Sequence, residues 1–223
     1  MSNTKPAAPI VVTTFKQVPA AFIGFVRDLR VRWALEEAGR AYEVRAVGPD
    51  DVASPDYRQQ QPFGQIPVYQ EGDVTLFESG AILWHIAQSS PALLPASEEQ
   101  RRQALTWMFA SLNSVEQHVG ALAQGDFFNR DDAWYAERRP ALVDMASKRL
   151  SDLENWMRDR PFLAGEFSAA DILMTTVLRL LGRTDMVSSR PVLRDYVART
   201  TSRPAFVKAL QDHTAHFQAA LPA

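Results

Sequence analysis

The chain has 223 residues, of which 46% are hydrophobic, and its formal net charge is −2. This length is enough for two modest domains, and a near-neutral charge without a dense Lys/Arg tract predicts neither a nucleic-acid partner nor an anionic membrane surface as a partner. The sequence contains no cysteine, which excludes disulfides, thiolate metal sites and a nucleophilic thiol supplied by the protein.

Short strand-like and helix-like segments alternate over residues 8–90. The predicted strands are Ile10 to Phe15, Tyr42 to Val47, Pro67 to Gln70 and Val74 to Phe77, and the predicted helices are about Val26 to Ala38, Pro55 to Gln60 and Ala81 to Ala87. The last two strands are joined by Glu71-Gly72-Asp73, which is a hairpin signal. This β-α-β-α-β-β-α order predicts an α/β domain with a compact mixed sheet and helices on its faces.

A segment with two prolines separates this region from one of different pattern. We place the division in Ser89 to Pro95 and take residues 91–97 as the linker. Beyond it, apolar residues such as Leu105, Met108 and Leu112 recur at three- and four-residue steps, which is the helical period. Residues 98–223 are therefore predicted to form an all-α domain. Its histidines lack carboxylate or cysteine partners in a ligand pattern, so we predict no metal site.

The first candidate site is the turn Gln61 to Pro67, which directly precedes a predicted strand. A proline at a strand entrance loses no ladder hydrogen bond, and the Ile66–Pro67 bond is a candidate for the cis form. A cis bond would turn the backbone of Ile66 outward, so that its N–H and C=O could pair with an extended ligand. Gln65 could reach a carboxylate of that ligand, or it could satisfy only its own loop.

The second half of the site is Glu78-Ser79, which precedes an apolar helical segment. Ser79 is predicted to be the N-cap of that helix, and a helix N-terminus favours a carboxylate because its free N–H groups and positive dipole end face the anion. Glu78 could bind an α-ammonium group. In the structural alternative, Ser79 only caps the helix and Glu78 only ends a strand. Combined with Ile66–Pro67, the pair favours a site for a small zwitterionic peptide.

Four pieces of the chain, in the same order, resemble the cytosolic glutathione transferases. They are the helix Val31 to Gly39, the turn Pro62 to Pro67, the segment Glu78 to Ile82 and the segment Phe167 to Asp171. The resemblance runs over roughly residues 10–182 and implies a thioredoxin-like N-terminal domain followed by an all-α helical domain. The chain is thus identified as an atypical, cysteine-free member of that family.

The resemblance implies two substrates and no metal cofactor. Glutathione would be bound by Gln65, Ile66, Pro67, Glu78 and Ser79, and the second substrate would be a hydrophobic electrophile. The resemblance also implies a homodimer. In this family the first long helix of the helical domain faces the thiol, so Trp107 and Asn113 are the candidate pocket residues, with Phe127-Phe128 as further aromatics. Helical core packing explains the aromatics equally well, whereas Asn113 is polar on an otherwise apolar face.

The group that activates the thiol is the main departure from the family pattern. The family places a Tyr, Ser or Cys near the start of the first helix, but Asp28 stands at the matching position, and an ionised carboxylate there would raise the pKa of a neighbouring thiol. Three substitutes remain open: the hydroxyl of Thr14, the guanidinium of Arg27, and backbone N–H groups around Gly24 to Asp28. Thr14 and Arg27 are the candidate catalytic residues. In the structural alternative, Thr14 is present only for its β-propensity, and Arg27 is only a surface charge.

Ser168 and Asp171 have the spacing of a capping box, with Asp in place of the usual Glu or Gln. We interpret them as structural residues that start a buried helix, because the apolar run Ile172-Leu173-Met174 follows at once. Loss of the Ser168 side chain is then expected to reduce stability by about 1 kcal/mol without changing the chemistry.

Together these features predict a glutathione transferase that conjugates the glutathione thiolate to small apolar electrophiles. Peroxide reduction by bound glutathione is compatible with the same site, whereas the lack of cysteine argues against a protein–glutathione mixed disulfide. The alternative, which Asp28 favours, is a non-catalytic glutathione-binding protein or a dimeric interaction protein of the same fold. No apolar run approaches the ~20 residues that span a bilayer, and the first residues lack a signal-peptide pattern, so we expect a cytoplasmic protein.

Overall fold

A four-stranded mixed sheet forms the centre of the N-terminal domain. The computed structural model describes residues 8–219, and within them the strands are β1 (Ile10–Phe15), β2 (Glu43–Val47), β3 (Tyr69–Glu71) and β4 (Val74–Leu76). Their order in the sheet is β2-β1-β3-β4. Strand β1 pairs parallel with β2 and antiparallel with β3, and β4 pairs antiparallel with β3. The predicted α/β domain with a mixed sheet is confirmed.

Helices connect and cover these strands. They are α1 (Asp28–Glu37), α2 (Pro49–Ala53), α3 (Pro55–Gln60) and α4 (Ser79–Gln88), and a 3₁₀ turn lies at Ala20–Phe22. Helix α2 is missing from the predicted order because five residues are too few to show a period. It is held by its cap: the Asp51 carboxylate accepts a hydrogen bond from the N–H of Gly48 at 2.7 Å.

Strand β1 is buried on both faces. Ile10 and Val12 belong to the main hydrophobic core with α1 and α4. On the opposite face, the hydroxyl of Thr13 accepts a hydrogen bond from the N–H of Val68 at 2.7 Å. Thr13 and Thr14 are both fully buried, although they lie on opposite faces of the strand. Val11 and Phe15 are half-buried, so each face of this inner strand carries packed side chains.

The C-terminal region is entirely helical apart from its turns, which confirms the predicted all-α domain. Its helices are α5 (Glu98–Ala110), α6 (Gln117–Phe128), α7 (Ala133–Met157), α8 (Ala169–Arg179), α9 (Pro191–Thr201) and α10 (Pro204–Gln218). Helix α8 is central, because every residue from Ala169 to Leu178 is buried. Among the residues described, no helix is both long enough and apolar enough to cross a membrane.

Helices α5 and α6 form one continuous helix that is interrupted by a π-helical turn at Ser111–Glu116. A π turn accommodates one extra residue and changes the phase of the helix that follows it. Glu116, the last residue of the π turn, is buried although it is charged. The π turn therefore places a carboxylate inside the protein where a regular apolar stripe would be expected.

The start of α8 has the predicted capping interaction. The Asp171 carboxylate accepts hydrogen bonds from the N–H of Ser168 at 2.9 Å and from the N–H of Leu163 at 3.0 Å. It also accepts one from the Tyr196 hydroxyl at 2.9 Å. Burial raises the pKa of this carboxyl to about 6. Asp171 thus connects the start of α8 to α9 and to the turn before α8, beyond the capping role alone.

The two domains are joined mainly through α1, which packs on α8 and α10. Glu37 at the end of α1 accepts two hydrogen bonds from the Arg203 guanidinium, at 2.5 and 2.7 Å. The Trp33 ring meets the Phe206 ring with centroids 4.7 Å apart. Helix α1 is therefore fixed in both domains, and its N-terminal end lies at the cleft between them.

Candidate functional site

The Ile66–Pro67 peptide bond is cis, as predicted. The Tyr57 hydroxyl donates a hydrogen bond to the carbonyl of Gln65 at 2.8 Å, which fixes the turn just before it. Within residues 8–219, neither the N–H nor the C=O of Ile66 has a hydrogen-bond partner. The backbone of Ile66 is thus available to pair with an extended ligand.

Glu78 has an unusual backbone conformation, with φ 67° and ψ 115°. This region is sparsely populated by residues other than glycine, and such strain clusters at ligand-binding sites. Its carbonyl accepts the N–H of Ile82 at 3.0 Å, so Glu78 is the N-cap of α4 and Ser79 is the first helical residue. The prediction that Ser79 is the N-cap is wrong by one position, because the strained residue and not the serine makes the transition into the helix.

Ser79 belongs to a buried polar network instead. The Arg30 guanidinium donates to the Ser79 hydroxyl at 3.2 Å, to the Thr176 hydroxyl at 3.0 Å and to the Glu116 carboxylate at 3.0 Å. The side chain of Arg30 is only 4% exposed, and burial lowers the pKa of this guanidinium. Because the Ser79 oxygen accepts from Arg30, its own hydrogen remains free to point at a ligand.

A second arginine completes the network at the cleft. The Arg27 guanidinium donates to the same Glu116 oxygen, with Nε at 3.3 Å and Nη2 at 3.0 Å, and half of its side chain is exposed. Burial alone would raise the pKa of the Glu116 carboxyl, but the charges of Arg30 and Arg27 outweigh it and hold that pKa below its usual range. Two cations therefore share the Glu116 carboxylate, and the nearby charge of Glu78 also favours the charged form of Arg30.

All five predicted glutathione-binding residues line one cavity of 520 Å³. Gln65 and Glu78 are exposed there, and Ile66, Pro67 and Ser79 are buried. Other side chains of this cavity include Arg27, Arg30, Asn113 and Glu116. The cavity is polar and brings together residues from the cis-proline turn, the start of α4 and the α5–α6 helix.

A larger cavity of 1180 Å³ adjoins the first one, and both are lined by Arg27, Arg30, Gln65, Ile66 and Glu116. Its walls are mainly apolar, and they include a cluster of aromatic rings. Phe22 lies with its ring centroid 3.9 Å from that of Phe127 and 5.2 Å from that of Phe128. This cluster connects the loop after β1 to the end of α6. The N-terminal end of α1 opens onto this cavity through Gly24 to Arg27.

The two candidate catalytic residues have different surroundings. Arg27 lines both cavities. Thr14 is fully buried and is outside the described lining of both cavities, because it lies on the same face of β1 as the core residues Ile10 and Val12. Its hydroxyl has no hydrogen-bond partner among residues 8–219. The structure thus brings Arg27 but not Thr14 to the junction of the cavities.

Asp28 points away from the cleft. Its carboxylate is fully buried, forms an ion pair with Arg32 at 2.7 Å and lies 3.4 Å from Nε2 of His213 on α10. The side chain at the position that matches the family's thiol-activating residue therefore does not reach the cleft. Asp28 and Arg32 are four residues apart, so their side chains lie on the same face of α1 and form an ion pair there.

The two candidate residues of the electrophile pocket, Trp107 and Asn113, lie in different places. Asn113 lines the polar cavity, beside Glu78 and Ser79, and not the apolar one. Trp107 lines neither, because its ring packs against Trp156 with centroids 5.2 Å apart.

Sequence reasoning missed Arg30, Glu116 and Thr176. The three partners of Arg30 are 49, 86 and 146 residues away in the chain, and no spacing rule connects them. A charged residue three positions after Asn113, within an apolar helical period, was the available signal for Glu116.

Comparison with known proteins gives a consistent result. The model of the glutathione S-transferase N-terminal domain matches residues 21–88, and that of the glutathione S-transferase C-terminal domain matches residues 127–204. Glutathione S-transferase 4 of Zea mays is 30% identical over 198 residues, which cover 82% of this chain and 86% of the relative. A tetrachloro-p-hydroquinone reductive dehalogenase of Sphingobium chlorophenolicum is 27% identical, over 82% of this chain and 90% of the relative.

A solved structure extends the likeness to three dimensions. It is a glutathione transferase from Pseudomonas putida with one glutathione disulfide bound per subunit. Its TM-score is 0.79 at 26% identity, and 94% of each chain is covered.

Proposed function

Since the chain belongs to the glutathione S-transferase family, we propose that it binds glutathione in the polar cavity and joins the glutathione sulfur to an electrophile in the apolar cavity. The observation that supports this proposal is the junction of the two cavities at Ile66 and Arg27. A tripeptide paired with the backbone of Ile66 would extend its cysteinyl sulfur towards that junction. Proximity of the two reactants would then supply much of the rate acceleration.

The tripeptide would be bound at three points. The free N–H and C=O of Ile66 pair with the cysteinyl residue as a strand would. The hydroxyl of Ser79, oriented by Arg30, donates to the γ-glutamyl carboxylate at the start of α4, where the helix dipole also favours an anion. Glu78 accepts from the α-ammonium group, and Gln65 reaches a carboxylate at the exposed rim.

Arg27 is the proposed thiol-stabilising residue. A free cysteine thiol has a pKa of about 8.5, and lowering it by about two units requires ~2.7 kcal/mol of preferential stabilisation of the thiolate. The guanidinium of Arg27 and the N-terminal end of α1 both favour negative charge at the junction. Glu116 neutralises only one of the two arginines that share it, and Glu78 would be occupied by the α-ammonium group, so one positive charge would remain available to the sulfur.

The second substrate is proposed to be a small electrophile with an apolar body, held against Phe22, Phe127 and Phe128. Attack by the thiolate forms the new carbon–sulfur bond and expels the leaving group. Reduction of a hydroperoxide by the same thiolate is a second activity that this cavity could accommodate. We further propose a cytoplasmic homodimer, as the family resemblance implies.

The competing proposal is a protein of the same fold that binds glutathione without activating it. A pH titration of the bound thiol separates the two, since the thiolate absorbs in the ultraviolet. We expect a bound pKa clearly below about 8.5, raised by about one unit in Arg27→Gln. Arg45→Gln removes an exposed charge that lines neither cavity and serves as the control.

A bound pKa at or above the free value would contradict the transferase proposal and favour a binding protein. Failure to bind glutathione at all would favour a structural or dimerisation role for the fold. Conjugation of a chloronitroarene, followed by its absorbance change, then tests turnover directly.

A further inference from the structure

The walls of the apolar cavity carry positive charge that no carboxylate of residues 8–219 balances. Two carboxylates line this cavity, and both are already engaged: Glu116 by Arg27 and Arg30, and Asp126 by Arg139, whose Nε is 2.6 Å away. Further cations lie on the same wall beyond these pairs. The charge on this wall is therefore not an internal ion-pair network of the protein.

Two of these cations are Arg179 and Arg183, four residues apart at and just beyond the end of α8. Neither has a carboxylate partner among residues 8–219. Arg179 donates one hydrogen bond to the carbonyl of Gly24 at 2.9 Å, and the desolvation of this half-buried guanidinium lowers its pKa. A cation that is partly desolvated without a counter-ion is a costly arrangement, and an anion in the cavity would relieve the cost.

The rings beside these arginines define the rest of the ligand. The guanidinium carbon of Arg179 lies 5.2 Å from the Phe25 ring centroid, and that of Arg183 lies 5.3 Å from the Phe127 ring centroid. Both arginines are thus held over aromatic surface, with their remaining N–H groups available at the cavity wall. An apolar surface edged by fixed cations fits a molecule with a flat apolar body and an acidic group.

We propose that the electrophile of this protein carries a carboxylate or a similar acid group, which Arg179 and Arg183 bind while its apolar body packs against the phenylalanine cluster. This inference rests on the proposed function and specifies its second substrate. A suitable probe is 4-chloro-3-nitrobenzoate, with the neutral 4-chloro-3-nitrobenzamide as its match. In either, the thiolate attacks the carbon that bears chlorine, the carbon–sulfur bond forms, and chloride leaves with the bonding electrons.

The first experiment measures binding without chemistry. S-methylglutathione, which has no free thiol, fills the tripeptide site, and calorimetry gives the dissociation constants of the two probes. The expected preference of wild type for the benzoate is roughly tenfold, as for one charged hydrogen bond. In Arg183→Gln and Arg179→Gln this ratio falls towards one. The control is Arg149→Gln, which keeps the ratio, because the Arg149 side chain on α7 is 41% exposed and outside the described lining of both cavities.

Equal affinity of wild type for the two probes overturns the inference, and so does a ratio that survives in both cavity variants. Arg183 is exposed, so its variant is informative even if loss of the Arg179–Gly24 contact prevents folding. The second experiment measures turnover with glutathione. A charge preference without any conjugate would support binding of an acid group by Arg179 and Arg183 and contradict the transferase proposal. Conjugation of both probes without a charge preference would support the transferase proposal and contradict the inference of an acidic electrophile.

Discussion

Replacing Arg30 by methionine is expected to cost far more stability than a surface change. The arginine makes three hydrogen bonds that connect α1 to the start of α4, to α8 and to the π turn. Its side chain is 4% exposed and that of Glu116 is 11% exposed. Removing one partner of a buried ion pair leaves an uncompensated charge and typically costs 3–5 kcal/mol. Because Arg27 still contacts Glu116, we expect the lower end, about 3 kcal/mol.

The assay is a double-mutant cycle with Arg30→Met and Glu116→Gln, measured by urea unfolding at neutral pH. The double variant should be destabilised by at least about 1 kcal/mol less than the sum of the two single variants, because it leaves no buried unpaired charge. Additivity within about 0.5 kcal/mol would refute the argument. The exposed pair Arg102–Glu98, 3.4 Å apart, is the matched control, with a coupling no larger than about 0.5 kcal/mol.

The same pair gives a pH dependence of defined sign. The pKa of the Glu116 carboxyl is held below its usual value in the folded protein. Its contribution to stability is therefore fully present above the pKa of the unfolded chain, about 4.3 for Glu, and is lost as the pH falls through the folded pKa. In Arg30→Met this acid-dependent loss becomes smaller, and an unchanged acid profile would contradict the assignment.

Three further predictions concern the remaining site and its support. Ser79→Ala and Glu78→Gln should each weaken glutathione binding by ~1.5–3 kcal/mol in calorimetry, and unchanged affinity in both variants would refute the proposed binding mode. Glu78→Gly should raise the unfolding free energy by about 1 kcal/mol through relief of backbone strain and should weaken glutathione binding. A loss of both stability and affinity would contradict the assignment of strain to Glu78. Ser168→Ala should lower stability by about 1 kcal/mol with normal turnover, and the reverse result would show that this residue serves the chemistry.

Local features of the site were accessible from the sequence. The proline at a strand entrance predicted the cis bond of Ile66–Pro67, and the change from strand to apolar helix identified Glu78 and Ser79. Each of these depends on residues that are neighbours in the chain. Ser168 and Asp171 were predicted for the same reason, since a capping interaction spans three residues.

Features that depend on tertiary packing were not accessible. Thr14 was a reasonable choice for a hydroxyl at the cleft only if its face of β1 met the cleft, and sequence alternation does not reveal which face packs on the core. The phase of α1 decides that Asp28 points to α10 while Arg27 and Arg30 point to the cleft. The ion pair of Arg30 with Glu116 requires both the meeting of two domains and a π turn that the apolar period does not predict.

The π turn at Ser111–Glu116 makes the cleft sensitive to the number of residues in a helix as well as to their identity. Each residue advances an α-helix by about 100°, and the wide π turn absorbs one such step, so deletion of one residue there would restore regular geometry and keep Gly120, Gln124 and Phe127 on the cleft face. All three line the cavities. A loss of one codon in this turn would thus leave both cavity walls in place, whereas a gain of one codon would rotate the same three residues away from the cleft by that angle.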